Sequence, residues 1–257
     1  MSGEIRQRSF GEILDGAFRV LSERFTALLA LGAVVYLPSG LLAIALLPQS
    51  GMMSIGAPGP FEAFLPALGL HTVLSVLIVA VTWPIASAAI THTVFEHYHG
   101  RVAGIAAALR VGWRIYMPLV GTSMLCWLAV LLGLILVVPG VWLALGFLVI
   151  GQVMVVEGAF GVAAMRRSRE LMRGHLLRGF GLIAVSTAFA LVLPATIQMA
   201  LATLPVVGYV ASAFVHAAGL AYSIAVSVLL YLDLRCRKES YDLQQLATVV
   251  AARGTSG

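Results

Sequence analysis

Charge is what this sequence has least of. Only 11% of its 257 residues are charged, and between Phe25 and Phe95 the sole charged residue is Glu62. Ordinary globular chains are roughly 25% charged. With 60% hydrophobic residues and a mean hydropathy of +0.99, most of this chain cannot have water as its solvent. Cysteine is scarce too. Cys126 falls in an apolar run and Cys236 in a basic flank, which excludes a disulfide framework and a cysteine metal site. No Gly-x-Ser-x-Gly, no His-Glu-x-x-His and no pair of intramembrane aspartates occurs, so no enzyme and no cofactor are expected. The first 24 residues are charged and amphipathic, unlike a cleavable secretory signal.

What is present is a series of long apolar runs. Residues 9–24 place Phe10, Ile13, Leu14, Ala17, Phe18 and Leu21 at helical spacing opposite Glu12, Asp15, Arg19 and Glu23. That pattern suits a helix lying in the headgroup layer. Spans are expected at about 25–47, 66–90, 117–138, 141–156, 180–204 and 209–232; the first is long enough to cross a bilayer core of about 30 Å, and the fourth is short. Pro38-Ser39-Gly40 interrupts the first, and the proline- and glycine-rich stretch 48–62 should be irregular. Pro139-Gly140 and 205–208 read as turns. Further amphipathic helices are expected at 101–116 and 160–178. The tail, 233–257, holds one more such pattern in Leu243, Leu246 and Val250.

The net charge of +5 could suggest nucleic acid on a soluble protein. Here the cations flank apolar runs, and membrane orientation explains them without a nucleic-acid partner. All 16 arginines and lysines fall on one side of a six-span layout, at 6–24, 101–114, 166–178 and 235–253. The excess of cations in cytoplasmic loops places both termini in the cytoplasm of a multi-pass bacterial inner-membrane protein. Leu14 to Arg19, Leu109 to Arg114 and Met165 to Glu170 align without gaps, and Pro38, Pro139 and Pro194 follow them. The expected fold class is therefore an all-α integral membrane protein. It has six transmembrane helices in three hairpins, each preceded by a cytoplasmic interfacial helix.

One set of residues resembles a known family. Pro139-Gly140-Val141-Trp142-Leu143 is followed by Glu157, Gly161, Arg166-Arg167-Ser168, Glu170-Leu171 and Gly174. The opening Phe10-Gly11-Glu12-Ile13-Leu14-Asp15 and the closing Tyr231-Leu232-Asp233-Leu234-Arg235 complete the pattern. Together they are similar to the membrane domain of glycerophosphoryl diester phosphodiesterases and related uncharacterised bacterial membrane proteins. The resemblance covers essentially the whole chain and implies a polytopic membrane domain. It does not bring phosphodiesterase activity, because the family's soluble barrel, with its His-Arg pair and clustered acidic metal ligands, has no counterpart here.

Several residues stand out as candidate sites. Glu157, next to an arginine cluster, is either an intramembrane functional group or a structural ion pair with Arg166, Arg167 or Arg169. Asp233 with Arg235 and Arg237 reads the same way, as a helix-end clamp or a substrate contact. His92, Glu96, His97 and His99 lack the spacing of a metal site. His216 is a candidate intramembrane polar site, expected to bond another span. Ala213, Ala217, Ala221 and Ala225 form a small-residue stripe, suited to an inner seam or to a homo-oligomer contact. The leading expectation is a non-enzymatic scaffold or accessory subunit. Its partners would be membrane lipids, through anionic headgroups at about 1 kcal/mol per basic residue, and partner proteins. The competing expectation is a transporter or lipid-handling permease with a central cavity near Glu157 and His216.

Overall fold

The computed structural model describes residues 6–46, 69–201 and 203–240. Among them there are ten helices and no strand. The order is α1 (Phe10–Glu23), α2 (Phe25–Leu46), α3 (Leu70–Tyr98), α4 (Ile105–Arg114), α5 (Tyr116–Leu134), α6 (Val138–Gly146), α7 (Ile150–Glu157), α8 (Gly161–Met172), α9 (Leu176–Ala200) and α10 (Pro205–Glu239). In lipid a chain must satisfy its own backbone polar groups, and apolar runs of this length do so as helices. Among the described residues, six segments are long and apolar enough to cross a membrane: Phe25–Leu42, Thr72–Tyr98, Tyr116–Leu134, Val138–Glu157, Leu176–Ala200 and Val206–Glu239. The chain is thus read as a polytopic membrane protein. The stretch 48–62 and the tail pattern at Leu243, Leu246 and Val250 lie outside the described residues.

Helix α10 is the axis of the molecule, touching α1, α2, α3, α7, α8 and α9. Small side chains let its neighbours come close. A Cβ on Gly32 of α2 would stand 2.5 Å from the Ala217 carbonyl, and one on Gly219 would stand 2.9 Å from Ala190 Cα of α9. Ala213, Ala217, Ala221 and Ala225 are all buried. The first two face Gly40 and Gly32 of α2, so this part of the stripe is used within the chain. Van der Waals packing of this kind holds helices together where the hydrophobic effect cannot.

The core lies at one end of this axis. Ile13, Ala17 and Val20 of α1, Ile90 and Val94 of α3, Val153 and Met154 of α7, Leu171 and Met172 of α8, and Leu229 to Leu234 of α10 are buried together. Helix α1 begins with a reciprocal cap. Ser9 N–H donates to Glu12 Oε2 at 2.6 Å, and Glu12 N–H donates to Ser9 Oγ at 3.3 Å. With Arg6 alongside, this holds the Glu12 carboxyl at about 2.

Several element boundaries differ from the sequence reading. Helix α3 runs on to Tyr98 rather than ending near residue 90, because Thr91, Thr93, Val94 and Tyr98 are buried rather than solvated. Helix α10 passes through Asp233 to Glu239 because the buried carboxylate is satisfied. Pro139-Gly140 is no turn: it sits in the first turn of α6, where the missing proline N–H costs nothing. Likewise 205–208 opens α10, and α2 continues through Pro38. The expected span 141–156 is two helices, α6 and α7, parted at residues 147–149.

Candidate functional site

The buried end of the bundle carries a polar network built from three helices. Glu157, the last residue of α7, accepts Arg167 Nε at 2.8 Å and Nη2 at 3.0 Å from α8. It also accepts the Tyr231 hydroxyl of α10 at 2.7 Å. Arg167 Nη1 reaches Glu239 at 2.5 Å, and Arg235 Nε reaches the other Glu239 oxygen at 3.0 Å. Two carboxylates thus meet two guanidiniums. The pairing drives the Arg167 guanidinium further toward its charged form than usual, chiefly through its hydrogen bonds to Glu157 and Glu239.

Beside it, Asp233 is fully buried. It accepts the Arg8 backbone N–H at 2.7 Å and Arg237 Nε at 2.9 Å, and Arg178 Nη2 stands at 3.3 Å. Arg237 also donates to the Arg8 carbonyl at 2.9 Å, and the Arg8 guanidinium lies 5.0 Å from the Tyr98 ring centre. The entry to α1, the end of α3, the start of α9 and the end of α10 are therefore tied together at one carboxylate. Buried ions are tolerated only when paired and hydrogen-bonded in this way. Arg178 Nε is buried here without a hydrogen-bond partner among the described residues.

This geometry redistributes the expected ion pairs. The fork to Glu157 comes from Arg167, because it shares a face of α8 with the α7 end, while Arg166 and Arg169 turn elsewhere. Asp233 is held by Arg237 and Arg178, whereas Arg235 bonds Glu239 and Tyr231. Arg178 was not singled out in the sequence, since nothing local links it to residue 233. His216 Nδ1 lies 2.9 Å from Ser212 O of its own helix, and its ring is 5.0 Å from Tyr36 of α2. The histidine group divides as well. Glu96 forks with Arg101 and His97 meets Glu23 at 3.0 Å. His99 Nδ1 lies 2.8 Å from Phe95 O.

Arg166, Arg169 and Arg173 instead line an open cleft of about 460 Å³ with Trp142, Gly146, Glu170, Gly174 and Leu176. Ser168, beneath them, donates to Gly146 O at 2.8 Å, locking α8 against the end of α6. A Cβ on Gly146 would stand 2.9 Å from Arg169 Cγ, so only glycine lets the arginine stem lie across α6 there. Arg166 and Arg173 are exposed and form no ion pair among the described residues. The cleft therefore presents three guanidiniums against one carboxylate, with a tryptophan at its wall. Guanidinium forks match phosphate oxygens in shape and charge. Two further clefts are almost wholly apolar. One, of about 340 Å³, lies among Phe18, Leu21, Phe25, Phe189 and Phe214, and the other, of about 500 Å³, runs beside Pro38 and Val34. Neither is lined by Glu157 or His216. No family model matches this chain, and no curated protein or solved structure matches it either.

Proposed function

We propose that this protein is a non-catalytic scaffold or accessory subunit of the bacterial cytoplasmic membrane. Its basic end, with both termini, faces the cytoplasm and binds anionic lipid headgroups and partner proteins. Kinship with the membrane domain of glycerophosphoryl diester phosphodiesterases, three helical hairpins and interfacial amphipathic helices belong to the same proposal. The observation that carries it is the arginine cleft, where Arg166, Arg169 and Arg173 surround an open space next to Trp142. The transporter reading is less well supported. Both oxygens of Glu157 are already engaged by Arg167, and one of them also by Tyr231, which suits a clamp better than a substrate contact.

The test is lipid retention by the purified protein in mixed micelles. Wild type should keep phosphatidylglycerol in preference to phosphatidylcholine. A combined Arg166→Gln, Arg169→Gln and Arg173→Gln variant should lose most of that preference while keeping its thermal stability. Equal retention of both lipids by wild type would contradict the proposal. So would a liposome flux of wild type that Glu157→Gln abolishes.

A further inference from the structure

Helix α2 presents two different faces. The one through Gly32 is taken by Ala217 of α10. Along the other, Thr26, Leu29, Ala30, Ala33, Leu37 and Pro38 recur at helical spacing, so they form one stripe, and this stripe lines the open cleft of about 500 Å³. From Thr26 to Pro38 it is about 18 Å long at about 1.5 Å per residue. Ala30 and Ala33 are short, which gives the cleft its depth between larger neighbours. The cleft of about 340 Å³ adjoins it, because Leu29 and Phe214 wall both. That second cleft lies among α1, α2, α9 and α10, and its four phenylalanines are all partly exposed: Phe18 59%, Phe25 48%, Phe189 47% and Phe214 41%.

Polarity is ordered along these clefts. Of the residues lining them, only Thr26 has a polar side chain, and it stands at the end where α1 meets α2. Two residues before it, at the same junction, Arg24 is half-buried and forms no ion pair among the described residues. The neighbouring carboxylate, Glu23, meets His97 at 3.0 Å instead. A cation and a hydroxyl thus precede a hydrocarbon wall, the order of parts found in an anionic amphiphile. Water gains nothing in clefts so apolar, whereas a hydrocarbon chain gains dispersion contacts from their walls. An apolar helix of another protein would leave Arg24 without a counter-charge, and a lipid phosphate supplies one. The length agrees as well. Half of a hydrocarbon core of about 30 Å is about 15 Å, so a chain whose headgroup meets Arg24 covers most of the stripe.

We infer that these adjoining clefts hold one anionic diacyl phospholipid. Its phosphate pairs with Arg24, one acyl chain follows the α2 stripe from Thr26 to Pro38, and the other enters the phenylalanine cleft. Leu29 and Phe214 stand between the two chains. None of the residues of the arginine cleft lines this site. The inference rests on the membrane reading but not on the arginine cleft or on a scaffold role.

The experiment uses full-length protein in detergent micelles with an equimolar amount of phosphatidylglycerol carrying a photoactivatable diazirine on both acyl chains. Adducts are mapped by mass spectrometry. Wild type should collect them on residues 26–38 and at Phe214 at least several-fold more than on Leu128 and Leu131, which are exposed on α5. Unlabelled phosphatidylglycerol should displace the probe at a several-fold lower concentration than phosphatidylcholine. Arg24→Gln should lose most of the α2 adduct and Arg24→Lys should keep it. Ala30→Phe, which puts a ring into the cleft floor, should also lose it at unchanged thermal stability; should that variant not fold, Arg24→Gln still decides. Adducts spread evenly over α2 and α5 would mean lipid solvation only and would overturn the site, as would indifference to Arg24→Gln. A Val34→Cys disulfide between two chains, in place of lipid adducts, would give the face to a second copy and overturn it too. The combined Arg166→Gln, Arg169→Gln and Arg173→Gln variant should leave the α2 adducts unchanged, so a wild type that shows no lipid preference in bulk retention counts against the arginine cleft alone. Loss of the α2 adducts in that variant would place the headgroup elsewhere and overturn the inference. If carbonate washing extracts wild type from membranes, the membrane reading itself fails, and the lipid site with it.

Discussion

Helices α5 and α10 have the same mean hydropathy, 1.9, yet the apolar window of the first is 17% buried within the protein and that of the second 67%. Hydropathy measures affinity for a nonpolar surrounding and does not distinguish lipid from protein. The difference is made by surface relief and by polar side chains. Helix α10 offers alanines and Gly219 to close neighbours, with Ser223, Tyr231 and Asp233 as bonding groups. Helix α5 offers Met124, Trp127, Leu128 and Leu131, large groups turned outward that suit contact with acyl chains. One helix is an axis and the other is a surface.

The comparison breaks most sharply at Asp233. Asp233→Asn leaves Arg178 and Arg237 without their shared buried carboxylate, and should lower unfolding stability in detergent by about 3–5 kcal/mol. Unchanged stability would show that the clamp is not what joins α1, α9 and α10. Next is a pair of glycines. Gly32→Ala puts a methyl 2.5 Å from the Ala217 carbonyl, while Gly121 of α5 has nothing within 4 Å of a Cβ. The first should cost about 1–3 kcal/mol, and Gly121→Ala should leave stability unchanged or raise it by about 0.5–1 kcal/mol. Equal effects in thermal denaturation would erase the distinction between axis and surface.

A smaller effect concerns pH. His175, between α8 and α9, is pushed below its ordinary pKa, first by burial and then by Arg237, Lys238 and Arg178, with Asp233 opposing them. The unfolded chain therefore takes up a proton near pH 6.5 more readily than the folded one. Stability should fall as pH is lowered through that value, and His175→Gln should flatten the slope there. The smallest effect is at the exposed cap. Glu12, held at about 2, contributes stability above its unfolded pKa of 4.5 that is lost as pH falls toward 2. Glu12→Gln should remove only that acid limb in a denaturation series.

How much of this could be read from the sequence follows the same division. The apolar runs and their charged flanks were legible, because burial in either lipid or protein demands the same residues. The partners were not. Arg166, Arg167 and Arg169 are equivalent by spacing from Glu157, and only the placement of α8 selects Arg167. Arg178 and Asp233 are brought together by the packing of α9 on α10. The run 141–156 read as one span because hydropathy does not register the interruption at residues 147–149, where hydrogen-bonded turns separate α6 from α7. For Pro139-Gly140 the turn chemistry pointed to a reversal, but close packing against Leu134 explains the glycine and the first helical turn accommodates the proline.

The most direct measurement sets two leucines against each other in reversible unfolding, one on each helix. Leu229 of α10 is fully buried and Leu128 of α5 is 55% exposed. Leu229→Ala should cost about 2–4 kcal/mol, while Leu128→Ala should change stability by no more than a few tenths of that. Comparable losses at the two positions, or the larger loss at Leu128, would contradict the assignment of α10 as axis and α5 as lipid-facing surface.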